Sequence, residues 1–181
     1  MKPPLLLVGR KAGLRAPEAK DLPALHRLRN DVESQLMLMS LPRGSSMEKT
    51  RDWTQRMSSD PHTLFLVIVG RNGTGMKGYI QITQIDTLHG HGELGICIAP
   101  EARGQGFGTE ALLLIEAHAS RLFDLRKITL RVFASHKPAI ALYTKGGYSE
   151  VGVLREHFYQ NNHRHDVLIM EKSLGSPSRS K

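Results

Sequence analysis

Between Ala99 and Glu110 the chain reads Ala-Pro-Glu-Ala-Arg-Gly-Gln-Gly-Phe-Gly-Thr-Glu, which puts Arg103-x-x-Gly106-x-Gly108, with Gly104 beside Arg103, into one short segment. Glycines let a backbone take up positive φ and approach a ligand closely. A helix start adds unpaired N–H groups and the positive end of a dipole. Such a loop with one arginine has the chemistry of a pyrophosphate cradle. The dinucleotide fingerprint would need a third glycine where Thr109 stands, and a P-loop would need Gly-Lys-Ser/Thr at its end. A glycine-rich connection without a ligand is the competing reading.

Other residues could also do chemistry. Glu93 stands at the start of the segment Glu93–Ala99 and shares a face with Gly95, Cys97 and Ala99, opposite Leu94, Ile96 and Ile98. It reads either as a proton acceptor or as a strand-end surface carboxylate. Cys97, the single cysteine, lies between two isoleucines and reads as an inert small hydrophobe, with no base partner to assign. His89-x-His91 and His163-x-His165 have spacing that a strand could use to point two ligands one way. Both pairs fall in or beside turns, without a cluster of Cys or Asp at metal spacing, so no metal is assigned. Either pair can instead line an acceptor cleft and relay protons.

The elements that position these residues follow from periodicity. Leu94, Ile96 and Ile98 alternate as a half-buried strand, which Pro100 ends. From Thr109 to Phe123 the residues Leu112, Ile115, Ala119 and Leu122 recur at helical spacing. Upstream, Gly13 to Ala16 makes a short strand. Asp21 reads as an N-cap with Pro23 in the first turn of a helix striped by Leu22, Leu25 and Leu28. After the break at Pro42 to Ser46, Met47 to Met57 forms a second helix. Met37, Met39 and Met57 read as core before pocket. Thr63–Val69 and Met76–Asp86 make a hairpin through Arg71 to Gly75, and Leu88 to Gly92 turns into the central strand. Lys127–Phe133 is a strand, and Pro138–Lys145 a helix closed by Gly146-Gly147. Tyr148–Phe158 and Arg164–Leu174 form a last hairpin through Gln160 to Asn162. The pattern gives an α/β (α+β) chain with a mostly antiparallel sheet: one domain over 1–174 and a frayed tail over 175–181.

At 181 residues the chain can bury a core without staples. One cysteine excludes an internal disulfide and suits a reducing, cytoplasmic setting. Leu5 to Val8 is too short to span a bilayer or to act as a signal core. The net charge of +8 is spread along the chain without a nucleic-acid motif, so nucleic acid is an unfavoured partner and a polyphosphate cofactor suits the charge equally.

Arg103-x-x-Gly106-x-Gly108 after a strand ending in Ala-Pro-Glu resembles the acetyl-CoA loop of the GCN5-related N-acetyltransferase (GNAT) family. Ala139-Ile140-Ala141-Leu142-Tyr143-Thr144-Lys145-Gly146-Gly147-Tyr148 resembles the family's Asn-x-x-Ala-x-x-Leu-Tyr-x-Lys-x-Gly-Phe element, with His136 where Asn is usual. Leu14-Arg15-Ala16, Arg29-Asn30-Asp31, Leu154 to Tyr159 and Asp166-Val167 resemble the RimJ/RimL-like branch. That branch holds ribosomal-protein N-terminal, spermidine and nucleotide-aminosugar acetyltransferases. The resemblance implies a sheet splayed near Ile98, whose backbone at Ile96 and Ile98 pairs with the pantetheine arm of acetyl-CoA. The amides of Gln105, Gly106, Phe107, Gly108 and Thr109 would hold the pyrophosphate. Arg103 would add charge beside Gly104, and His136 would lie against the cofactor in place of the usual Asn. Glu93 would be the general base for a primary amine, and Tyr143 the acid for the leaving thiolate. Arg29, Asn30, Met39, Phe158 and Tyr159 would build the acceptor cleft. The implied enzyme needs no metal and transfers acetyl by direct attack in a ternary complex. Its acceptor would be a nucleotide-linked aminosugar or a protein N-terminus. A polyamine or other small amine fits less well, because no acidic cluster is visible, and a non-catalytic acyl-CoA-binding or nucleic-acid-binding protein is the other-class alternative. Self-association as a homodimer is compatible with the resemblance, and membrane association is not expected.

Overall fold

Leu64–Gly70 is an unbroken run of aliphatic and aromatic residues, and it becomes a strand (β3) with Phe65 to Val69 buried. A computed structural model describes residues 4–175. Before β3 come β1 (Leu7–Val8), β2 (Ala12–Arg15), α1 (Leu22–Asn30), α2 (Val32–Met37) and α3 (Met47–Ser59). After it come β4 (Met76–Asp86), β5 (His91–Ile98), α4 (Phe107–Phe123), β6 (Lys127–Phe133), α5 (Lys137–Lys145), β7 (Ser149–Gln160) and β8 (His163–Ser173). They build an eight-stranded sheet in the order β1-β2-β3-β4-β5-β6-β8-β7, flanked by helices. The expected frayed tail lies, beyond Gly175, outside the described residues.

Every neighbouring pair is antiparallel except β5 and β6. That parallel ladder is short. It joins His91 to Lys127, Gly92 to Ile128 and Glu93 to Thr129, and then stops. The sheet therefore opens after Glu93, earlier than the splay expected near Ile98. Each strand is held by its other neighbour: β5 stays on β4 as far as Ile98, and β6 stays on β8 as far as Phe133. Sheet twist accumulated across the two halves pulls β5 and β6 apart. On its closed side β5 lies very near β4. A Cβ on Gly78, at φ +148°, would sit 2.1 Å from the carbonyl oxygen of Cys97, so only glycine fits there.

Several expectations needed correction. Leu5 to Val8 supplies an edge strand, β1, because Leu7 and Val8 pair with Leu14 and Gly13. A separate helix, α2, follows α1, started by Asp31, whose carboxylate accepts the Ser34 N–H. α4 begins at Phe107 rather than Thr109, with Gly106 at φ +86° before it. Leu112, Ile115 and Ala119 are buried as expected, but Leu122 is 60% exposed, because the last turn of α4 points Phe123 rather than Leu122 at the core. The central strand starts at His91, ahead of Glu93.

Asp21 does not cap α1 with its side chain. A 3-10 turn over Ala19–Asp21 runs straight into the helix, and the carboxylate turns to Arg15 instead. The two form a bidentate pair at 2.6 and 2.9 Å, with side chains 3% and 5% exposed, and Asp21 also accepts the Glu18 N–H. This pair raises the pKa of Arg15. Losing one partner would strand a buried charge. Asp21→Ala should lower the unfolding free energy in a urea titration at neutral pH by about 3–5 kcal/mol. A loss near the surface-substitution range of about 0.5 kcal/mol would show that the pair contributes little.

Candidate active site

The gap between β5 and β6 widens into a cleft of about 1550 Å³. Its floor is the open edge of β5, where Ile96 and Ile98 are half-buried and have no strand beside them on the β6 side. One end is the glycine loop. Arg103, Gly104, Gly106, Phe107, Gly108 and Thr109 all line the cleft. No side chain caps α4, so the first-turn amides of Phe107, Gly108 and Thr109 have no partner within the helix. Gln105 is not among the lining residues. Its side-chain amide donates to the Glu101 carbonyl (2.7 Å), and its own carbonyl accepts the Lys11 ammonium (2.7 Å).

Arg103 reaches across the cleft while keeping its side chain 41% exposed. It donates to Ser34 Oγ (2.7 Å) and to the Ile98 carbonyl (3.3 Å), and lies 4.0 Å from Glu33. The loop is held from behind by Glu110, whose carboxylate accepts the backbone N–H groups of Arg10, Lys11 and Ala12 in the β1–β2 turn. That contact brings Lys11 to the glycine loop, with its ammonium 3.8 Å from where a Gly106 Cβ would be. The sequence carried no signal for Lys11, which lies 94 positions from Gln105.

The far wall of the cleft includes His136, Ala139, Leu142 and Tyr143 from α5 and the turn before it. Burial and the nearby Arg103 charge push the His136 pKa below its ordinary value, so the ring is neutral at pH 7. Tyr143 is 6% exposed and stacks edge-on against Tyr148 with ring centroids 5.8 Å apart. Burial pushes its phenol up to about 12. Cys97 also lines the cleft, and burial pushes its thiol up to about 11, which disfavours the thiolate at neutral pH.

Glu93 reaches the cleft but does not stand alone. Both its oxygens accept from Arg131, at 3.0 and 3.1 Å. Arg29, Met39 and Phe158 line the cleft as expected. Arg29 lies 4.4 Å above the Trp53 ring, which packs on Phe65 and Tyr79. Met37 and Met57 line the cleft with Met39, and Met57 also packs against the hydrophobic core. Asn30 and Tyr159 fall outside. The Asn30 amide is used up between the His26 carbonyl and the Ser45 backbone. Tyr159 is 62% exposed on β7, with its hydroxyl bonded to Asn162. Neither His-x-His pair lines the cleft, whereas His157 does. Arg131, Trp53 and His157 were legible as strand or helix residues but not as cleft residues. Among the described residues, no helix is long and apolar enough to cross a membrane.

The family model described as "Acetyltransferase (GNAT) domain" matches residues 11–149. A spermidine N(1)-acetyltransferase of Vibrio cholerae is 28% identical over 157 residues, covering 87% of this chain and 90% of that one. The crystal structure of a V. cholerae spermidine N-acetyltransferase in complex with CoA and spermine superposes with a TM-score of 0.85 at 26% identity, covering 92% and 97% of the two chains. RimL, a ribosomal L7/L12 alpha-N-protein acetyltransferase solved with CoA, shares the fold with a TM-score of 0.83 at 21% identity, covering 94% and 98%. The open β5 edge, the uncapped glycine loop and this match together show that the chain belongs to the GNAT family and is an N-acetyltransferase that uses acetyl-CoA.

Proposed function

We propose that this N-acetyltransferase acetylates a primary amine carried on a neutral or anionic body, such as a nucleotide-linked aminosugar or a protein N-terminus, by direct attack in a ternary complex. Charge carries this reading. The cleft-lining carboxylates Glu33 and Glu93 each face an arginine, Arg103 and Arg131, and Arg29 and Lys145 add further positive charge. A polycation entering this cleft would find Glu93 already paired with Arg131 and only the exposed Glu33 loosely held, whereas an acidic or phosphate-bearing acceptor would meet arginines. Polyamine acetylation is the second reading, favoured by the near full-length similarity to a spermidine N(1)-acetyltransferase.

In this mechanism the open edge of β5 at Ile96 and Ile98 would hold the pantetheine arm of acetyl-CoA. The amides at the start of α4 meet its pyrophosphate, with Arg103 and Lys11 supplying charge. The amine must lose a proton before attack. Glu93 takes it, directly or through water, once Arg131 yields one carboxylate oxygen. His136, neutral at pH 7, contributes a polar contact beside the donor. Tyr143 is the donor for the departing thiolate: its phenol, at about 12, is protonated at neutral pH, and because passing that proton to a thiolate whose acid is near 8.5 runs uphill, the phenolate formed must be reprotonated at once from solvent. A reducing cytoplasmic setting suits the lone, buried Cys97. Homodimer formation is part of the same proposal, supported by β7, a long sheet-edge strand with Val151 and Tyr159 exposed.

CoA release measured across spermidine, an acidic N-terminal peptide and a nucleotide-linked aminosugar tests the acceptor. Preference for either anionic acceptor is expected, and preference for spermidine would favour the second reading. Gly106→Val should weaken CoA binding in calorimetry by at least about tenfold, because it puts a branched side chain at positive φ into the cradle. Unchanged CoA binding would remove the loop from the cofactor site. Tyr143→Phe keeps the ring packing and should lower kcat by about 10²–10⁴ with CoA affinity nearly unchanged. Normal turnover would mean that water or another group protonates the thiolate.

A further inference from the structure

At the β4–β5 turn, outside the cleft, the fold gives one His-x-His pair the acidic partner that the sequence did not reveal. Asp86, His89 and His91 each offer one ligand atom, and these atoms lie within 4.8 Å of one another. Asp86 Oδ2 is 2.9 Å from His89 Nδ1 and 3.9 Å from His91 Nε2. Ligands bound to one transition-metal ion at about 2.0–2.2 Å sit about 3–4 Å from each other, so these groups need little movement to share an ion. Two imidazoles and one carboxylate suit a borderline divalent metal, and they leave positions open for water.

The turn that carries them is already fixed. The Asp86 carboxylate accepts the His89 backbone N–H (2.8 Å), and its carbonyl accepts the Gly90 N–H (2.8 Å). Arg126 donates to the His89 carbonyl (3.0 Å), and the Gly90 carbonyl accepts the backbone N–H groups of Arg126 and Lys127. The two imidazoles lie nearly parallel, 6.2 Å apart. Outer contacts of this kind hold ligands in place before the metal arrives.

We propose that Asp86, His89 and His91 form a surface binding site for a divalent transition metal of the zinc class, separate from acetyl transfer. The neutral His89 ring binds through Nδ1 with its hydrogen moved to Nε2, and Asp86 exchanges its contact with that ring for the ion. The bound ion links the turn after β4 to the start of β5.

Tag-free protein titrated with Co²⁺, a visible-spectrum stand-in for zinc, tests the site. The expected result is a saturable d–d absorption band that Zn²⁺ displaces, together with a zinc-dependent rise in Tm. His89→Ala, His91→Ala and Asp86→Asn should each weaken binding by at least about tenfold while keeping the metal-free circular dichroism spectrum and basal acetyl transfer. No band at saturating Co²⁺ would overturn the proposal. So would equal affinity in the His89→Ala/His91→Ala double variant, which would place any bound metal elsewhere.

Discussion

The parting of β5 from β6 is the constraint on which the rest of the site depends. A parallel ladder that stops at Glu93 and Thr129 leaves the second half of β5 without a strand partner along an open edge, where Arg103 takes the Ile98 carbonyl. Buried backbone N–H and C=O groups are normally satisfied, so such an edge is tolerated only where a ligand or water can complete it. Had the ladder continued to Ile98, β6 would fill the space that is now the cleft. The twist that separates the strands also brings α5, with Tyr143, over the gap and puts the start of α4 at its end.

Around this gap, contacts far apart in sequence fix the walls. Glu110, one turn into α4, holds the β1–β2 turn through three backbone amides, and so places Lys11 beside the glycine loop. Arg103 ties the end of β5 to Ser34 of α2, so the glycine-loop end and the α2 side of the cleft share one side chain. The α3 side of the cleft is stiffened by aromatic packing of Trp53 on Phe65 and Tyr79, with Arg29 stacked above.

The cleft keeps charged and neutral groups apart. Its carboxylates face arginines, while the groups beside the open edge of β5 are held neutral: His136 by burial and Arg103, Cys97 and Tyr143 by burial. Low-dielectric surroundings disfavour the ionised form of each. In the proposed mechanism, proton transfer would be divided between a carboxylate that must be released by its arginine and a phenol that rests protonated at neutral pH.

Much of this was determined by the sequence alone. Alternation in Leu94 to Ile98, the stop at Pro100, the loop from Arg103 to Gly108 and the helical stripe of Leu112, Ile115 and Ala119 are local properties, and they fix elements wherever the chain packs. The two motifs at Arg103 and Tyr143 were legible for the same reason. Tertiary structure decided which side chains meet. Asp21 was drawn from its helix by Arg15, Glu93 was joined by Arg131 from a strand 38 positions on, and Asn30 and Tyr159 were kept out of the cleft. It also decided that Leu122 faces water and that the sheet opens after Glu93 rather than near Ile98. Periodicity and chain breakers act over a few residues, whereas the end of a ladder and the partner of a charge depend on how distant elements twist and pack together.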